Sequence, residues 1–243
     1  MKISNIWDIH LHAVPGVDDG SDSLDTSMKM LDREYREGVR NMIVTPHFRH
    51  GMFETPRDRV EEQYLLLKKA AAEKFPDLNL YLGCEFHSNF DITETIDSDA
   101  RYRMNGTRYV LMEFSPGAHR RDIVTHCREV STSGFYPVIA HAERCDAIRD
   151  HTDLIDDLQD MGCSLQINAD SIIGDFGWGI KRFCARLLKD ERIDFIGSDA
   201  HNVRSRVSHM EECVKFLTRK CSSGYAGALL VGNPECMMRG EHL

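Results

Sequence analysis

No run of about 18 apolar residues occurs in the 243 residues, so the sequence offers no membrane-spanning helix. The opening stretch Met1–Asp8 also lacks the apolar core of a signal peptide and reaches Asp8 and His10 almost at once. A cytoplasmic protein without direct membrane insertion is expected. The eight cysteines, at 84, 127, 145, 163, 184, 213, 221 and 236, contain no C-x-x-C pair. In a reducing compartment they read as thiols, mostly buried, and not as a disulfide framework. Basic residues are in deficit, 30 Lys and Arg against 39 Asp and Glu, a net charge of −9. That balance argues against a nucleic-acid partner, because nothing suggests a basic surface excess. Internal repeats, low-complexity tracts and Pro/Gly/Ser-rich linkers are missing too, so residues 1–243 are expected to form a single domain.

What is there is an ordinary globular balance, 42% apolar and 28% charged residues, which argues against global disorder. The length suits one large core, and α/β barrels commonly use about 250 residues. Short apolar runs at 6–11, 42–45, 78–84, 109–112, 137–140, 164–167 and 194–197 are expected to be parallel strands buried on both faces. Between them, helices are expected from Ser23 or Asp25 to Glu37, with Gly38 as the stop, and from a Thr55 cap through Pro56 to about Phe75. Further helices fit 122–133, 152–161, 179–190 and 207–221. Strands alternating with helices imply a parallel sheet, and seven strands suggest an α/β fold of the distorted (β/α)7 TIM-like barrel type. A doubly wound open sheet stays open as the alternative.

The strand ends carry the chemistry. They read Asp8-Ile9-His10-Leu11-His12, Thr45-Pro46-His47, Gly83-Cys84-Glu85, Met112-Glu113-Phe114, Ala140-His141-Ala142-Glu143-Arg144 and Gly197-Ser198-Asp199-Ala200-His201. One such residue is ordinarily just solvated. Six strands out of seven ending this way converge on one mouth, because parallel barrels gather their sites at strand C-terminal ends. His10 and His12, two apart on a strand, face the same side and can approach one ion. Mixed imidazole and carboxylate donors suit Mn²⁺, Zn²⁺ or Fe²⁺ better than Ca²⁺. About nine candidate ligands fit two or three divalent ions better than one, with a carboxylate such as Glu85 able to bridge.

These motifs, with Val17-Asp18-Asp19-Gly20 and Ser198-Asp199-Ala200-His201-Asn202, resemble the polymerase and histidinol phosphatase superfamily over residues 7–235. Within it they look like the manganese-dependent bacterial protein-tyrosine phosphatases of capsule and exopolysaccharide operons. Arg49-His50-Gly51-Met52-Phe53-Glu54-Thr55-Pro56, Met112-Glu113-Phe114-Ser115 and Met161-Gly162-Cys163 carry that narrower likeness. The resemblance implies one ion on His10, His12, Glu85 and Asp199, a second on Glu85, Glu113 and His141, and a third on Asp19, His47 and His201. Asp19 is favoured over Asp18, which would hydrogen-bond from behind. Mn²⁺ is the expected metal, with Fe²⁺, Zn²⁺ or Mg²⁺ as alternatives. Arg144 and Arg206 match phosphate-gripping positions, since the guanidinium fork suits phosphate oxygens. Asp8 is expected to orient a ligand histidine. His87 and Phe176–Trp178 depart from the family pattern.

The implied activity is hydrolysis of phosphotyrosine on a bacterial tyrosine kinase tail that controls polysaccharide export. Arg144, Arg206, Asp199 and His201 would be the catalytic groups, and the proton donor stays open between His201 and a water. Small-molecule phosphatase action, on histidinol phosphate for example, and non-catalytic kinase binding are the competing readings. Cys213 and Arg219 have the C-x₅-R spacing of cysteine phosphatases, but the segment is glycine-free and amphipathic, so a buried helical thiol is expected. Phe53 is read either as a lid or as a loop anchor. His119-Arg120-Arg121 is read either as a steering patch or as a helix start.

Overall fold

Buried apolar runs too short for helices form parallel strands here because amphipathic segments cover them from outside. The computed structural model describes residues 3–88 and 91–243; Met1 and Lys2, which open the N-terminal stretch read above, lie outside them. The strands are β1 (Ile6–Leu11), β2 (Val39–Val44), β3 (His47–Phe48), β4 (Asn79–Leu82), β5 (Glu85–His87), β6 (Tyr109–Glu113), β7 (Tyr136–Ile139), β8 (Ser164–Asn168) and β9 (Phe195–Gly197). All seven ladders between them are parallel.

Two of the expected strands, 42–45 and 78–84, are followed just past their expected ends by short further strands, β3 and β5. Thr45-Pro46 separates β2 from β3, and Gly83-Cys84 separates β4 from β5. The pairs Val44–Leu82 and His47–Glu85 nevertheless share one offset, so the ladder resumes in register past the gap. Proline cannot donate to a ladder, but its carbonyl still accepts from the Glu85 N–H at 3.1 Å. Seven strand positions therefore follow one another in chain order without the reversal of a doubly wound sheet. The last returns to the first: Leu11 bridges Ala200, the Asp199 N–H donates to the His10 carbonyl at 2.8 Å, and the His12 N–H donates to the Ala200 carbonyl at 2.9 Å. The expected distorted (β/α)7 barrel is what forms.

Alternate strand residues fill the barrel. Trp7, Ile9, Ile43, Tyr109, Leu111, Val138, Ala140 and Phe195 pack inside it, with Met237 from the helix Asn233–Arg239. Tyr109 Oη donates to the Glu241 carbonyl at 2.7 Å, fastening the C-terminal segment to this cluster. The larger apolar layer lies between strands and helices.

The long helices are close to expectation: Leu24–Arg36, Arg57–Lys74, Arg120–Thr132, Asp153–Asp160, Trp178–Lys189 and Met210–Lys220. Ser23 caps the first by accepting from the Thr26 N–H. Gly38, at φ +100°, follows its end in a conformation that favours glycine. Thr55 does not cap the second helix. Pro56 holds the cap position, and Thr55 Oγ1 donates instead to the Val17 carbonyl at 2.6 Å. Short helices at Ile92–Ser98, Asp146–Asp150, Ala169–Ile173 and Ser223–Gly227 carry too few turns to show a period in sequence. Among the described residues no helix is long and apolar enough to cross a membrane.

Candidate metal centre

The register of β1 slips between Asp8 and Leu11. Trp7 and Ile9 fill the apolar interior, and across the slip His10 and His12 face Glu85 and Asp199. In both of these histidines the two ring nitrogens divide their work. His12 Nδ1 donates to Asp18 Oδ2 at 2.8 Å, which leaves the Nε2 lone pair free. For His10 the assignment starts from Asp199, a carboxylate that can only accept. Asn168 Nδ2 donates to Asp199 Oδ2 at 2.9 Å, so Asn168 Oδ1 receives Gln166 Nε2 at 2.7 Å. Gln166 Oε1 then accepts from the His141 N–H at 2.8 Å and from His10 Nδ1 at 3.2 Å. His10 therefore also presents an Nε2 lone pair.

The two Nε2 atoms lie 3.1 Å apart, and each lies 3.1 Å from Glu85 Oε2. Asp199 Oδ1 is 3.6 Å from the His10 nitrogen and 3.5 Å from that of His12. Four electron-rich atoms thus face one point in a buried pocket, which demands a proton or a metal cation. Absent a cation, protons supply it. Burial would lower the His12 pKa, but hydrogen bonds to Asp18 and Glu85, with their charges, raise it to about 10. Burial likewise opposes ionisation of Glu85 and Asp199, yet neighbouring histidines, joined at Asp199 by Arg144, hold both carboxylates below their ordinary range.

A second set lies beside the first. His12, Asp19, His47 and His201 bring one donor atom each within 4.8 Å of one another. His201 Nδ1 donates to the Asp199 carbonyl at 2.9 Å, leaving Nε2 facing Asp19 Oδ1 at 3.6 Å. Asp19 Oδ1 is also 3.5 Å from His47 Nε2. Asp18, by contrast, spends its oxygens on His12 and on the N–H groups of His47 and Gly20. Glu85, Glu113 and His47 make a third set. His141 Nε2 reaches the same carboxylates, 2.7 Å from Glu85 and 3.9 Å from Glu113. Burial, and repulsion from Glu85, raise the Glu113 pKa to about 7.

All nine candidate ligands therefore meet at the strand C-terminal ends, and the residues fit a metal. Glu85 Oε2, His47 Nδ1 and His201 Nε2 are buried atoms crowded by other donors and acceptors, His47 Nδ1 standing 3.0 Å from Glu85 Oε2, yet none makes a well-aligned hydrogen bond among the described residues, a costly state that a cation would relieve. His141 at φ +31° and Asp199 at φ +52° hold left-handed backbone, costing roughly 1–2 kcal/mol each in a non-glycine residue. Gly197 leaves the space for this: a Cβ there would stand 2.5 Å from His10 Cβ.

Arg144 and Arg206 both close on Asp199. Arg144 Nη1 donates to Oδ2 at 2.6 Å and Nη2 lies 3.7 Å from Asp170 Oδ2. Its Nε–H is buried without a partner among the described residues. Arg206 Nη2 spans both Asp199 oxygens at 3.2 and 3.3 Å.

One expectation needs correction, and three other readings are decided by the structure. Asp8 orients no imidazole; its Oδ1 accepts from the backbone N–H of His10 at 3.0 Å and of Ser198 at 2.9 Å, joining β1 to the end of β9. Arg120 is not free to steer a ligand, because it pairs with Asp153 and Asp157 on the next long helix. Phe53 is pinned, its backbone exchanging two hydrogen bonds with Arg49 and its ring stacked on His47 at 5.1 Å. Cys213 is the buried helical thiol that was expected, inside the helix Met210–Lys220, and burial pushes its thiol pKa up. Gln166 and Asn168 escaped the sequence reading, which looked for ionisable strand ends. The signal was there in polar residues alternating with Leu165 and Ile167.

A ring of parallel strands with His and carboxylate donors gathered at its C-terminal mouth defines the class of barrel-type metal-dependent hydrolases. Within that class the chain belongs to the capsular polysaccharide synthesis CpsB/CapC family, which it matches over residues 6–239. It is 34% identical over 232 residues to tyrosine-protein phosphatase CpsB of Streptococcus pneumoniae, covering 93% of this chain and 96% of that protein. Tyrosine-protein phosphatase YwqE of Bacillus subtilis is 31% identical over 234 residues, covering 96% and 92%. A chain from the crystal structures of YwqE from Bacillus subtilis and CpsB from Streptococcus pneumoniae, metal-dependent tyrosine phosphatases, matches with a TM-score of 0.90 and 30% identity over 97% of this chain and 95% of that one. Histidinol phosphate phosphatase of Lactococcus lactis shares the fold, with a TM-score of 0.56 and 14% identity over 90% and 94%.

Proposed function

We propose that this protein is a metal-dependent protein-tyrosine phosphatase, acting in the cytoplasm as one domain on a bacterial tyrosine kinase that regulates capsular or extracellular polysaccharide synthesis. The observation that carries the reading is the pairing of a lone-pair-rich cluster with two arginines at its rim, one keeping an unused N–H. Kinship with the named phosphatases supports the tyrosine substrate.

Two or three divalent ions, Mn²⁺ foremost, would be held by His10, His12, Glu85 and Asp199, by Glu85, Glu113, His47 and His141, and by Asp19, His47 and His201. When bound, such ions polarise phosphoryl oxygens and bring the pKa of water from 15.7 toward about 7. The chain's own groups do the rest. Arg144, through its free Nε–H, and Arg206 receive phosphoryl oxygens in charge-assisted hydrogen bonds. Asp199 holds both guanidinium groups in place as well as offering Oδ1 to the ions. His201 is a ligand in this reading and not the proton donor. Its Nδ1–H is committed to a carbonyl, and burial and the nearby His12 charge lower its pKa, leaving a neutral ring with a lone pair. Tyrosine leaves as a phenolate with a conjugate-acid pKa of about 10, so solvent at the open mouth suffices to protonate it.

The test is turnover of a phosphotyrosine peptide by metal-stripped protein and after Mn²⁺ resupply, beside His10→Ala and Cys213→Ser. Activity should require metal, vanish in His10→Ala and persist in Cys213→Ser. Loss of activity in Cys213→Ser with intact folding, or an inert metal-loaded wild type, would overturn the assignment.

A further inference from the structure

Two exposed aromatic rings lie where the helix Ala169–Ile173 passes into the helix Trp178–Lys189, Phe176 in the connecting loop at 46% and Trp178 at the start of the second helix at 80% exposure. The backbone around them is fixed. Gly174 and Asp175 N–H groups both donate to the Asp170 carbonyl at 3.0 Å. Asp175 pairs with His209 Nε2 at 3.2 Å, and Lys181 Nζ donates to the Ile173 carbonyl at 2.6 Å. Large apolar rings held out in water by a pinned loop suit contact with something that arrives from solvent.

The position of Phe176 says what arrives. The Arg144 guanidinium carbon lies 4.3 Å from the Phe176 ring centroid, so the ring covers a face of the group that the proposed function places on phosphate. In an aryl phosphate the ring follows phosphorus after a single bridging oxygen. A phosphate on Arg144 therefore puts a flat aryl face beside whatever packs on Arg144. An alkyl ester offers no such face.

We propose that Phe176 is a specificity residue, a wall against which the ring of an aromatic phosphate ester lies, with the exposed Trp178 two residues further along the chain. The inference rests on the phosphatase reading for the role of Arg144, and it goes beyond that reading in assigning aryl selectivity to a loop that departs from the family pattern. Aromatic pairing contributes selectivity on the order of tenfold.

Binding tests it without turnover. The metal-loaded full chain is titrated with phenylphosphonate and with methylphosphonate, following tryptophan emission. The chain has two tryptophans and Trp7 is buried, so Trp178 is the solvent-facing reporter. Wild type should prefer the phenyl ligand by about tenfold. Phe176→Ala at matched metal content should lose that preference, and Phe176→Tyr should keep it. An equal loss for both ligands in Phe176→Ala would mean that Phe176 only seats Arg144. That result, an unchanged preference in Phe176→Ala, or no preference in wild type, overturns the proposal. Failure to hydrolyse a phosphotyrosine peptide would sink the catalytic reading and leave this binding comparison to be decided by its own result.

Discussion

At the scale of single residues, the centre is a set of lone pairs kept pointing inward by groups behind them. Gln166 is the clearest case, since it fixes the His10 tautomer and anchors the His141 N–H at once. Replacing it with leucine removes both contacts and should weaken metal affinity by about 10–100-fold, as is usual for partners behind a ligand. Equilibrium dialysis against Mn²⁺ measures this, and an unchanged affinity would refute the role. Protons compete for the same lone pairs. His12 in the metal-free fold has its pKa raised to about 10 and Glu113 to about 7, so below those values binding must expel the proton. Apparent metal affinity should rise about tenfold per pH unit near pH 8 and more steeply below pH 7; a flat profile from pH 6 to 8 would exclude it. The linked stability has the opposite sign. The raised His12 pKa stabilises the metal-free fold fully below about 6.5, and that contribution fades as pH climbs through about 10.

At the scale of elements, strands position the ligands and breaks in strands aim them. The slip in β1 and the Thr45-Pro46 and Gly83-Cys84 interruptions all lie beside ligands. Strand β9 approaches β1 so closely that only glycine fits at 197. Gly197→Ala should push His10 aside, so it should lose metal binding and lower Tm, read by elemental analysis and calorimetry. Full metal occupancy in that variant would show that the approach is not needed. The sequence had marked six strand ends because ionisable residues there are conspicuous. It passed over β8, whose Gln166 and Asn168 act as relays and not as ligands. Asp8 misled for a related reason: a buried carboxylate beside ligand histidines looks like an imidazole partner, and only strand pairing shows it spent on backbone amides.

At the scale of the whole molecule, metal binding and folding are coupled, because the ligands come from β1, β3, β5, β6 and the segments after β1, β7 and β9, and no part of the chain holds the site alone. Metal at 100 times its Kd should stabilise the fold by about 2.7 kcal/mol, or roughly 5–10 °C in Tm for a domain of this size. A chelator should reverse the shift, and identical melting with and without metal would count against an intact site. The barrel and the ligand types were legible in the sequence, since seven buried apolar runs and their ionisable ends are local patterns of hydrophobicity and spacing. Which nitrogen of each histidine faces inward, how Asp18 and Asp19 divide their work, and that Phe176 lies on Arg144 were decided by the tertiary structure alone. Those are relations between distant segments, fixed by strand register and ring closure, and no local pattern encodes them.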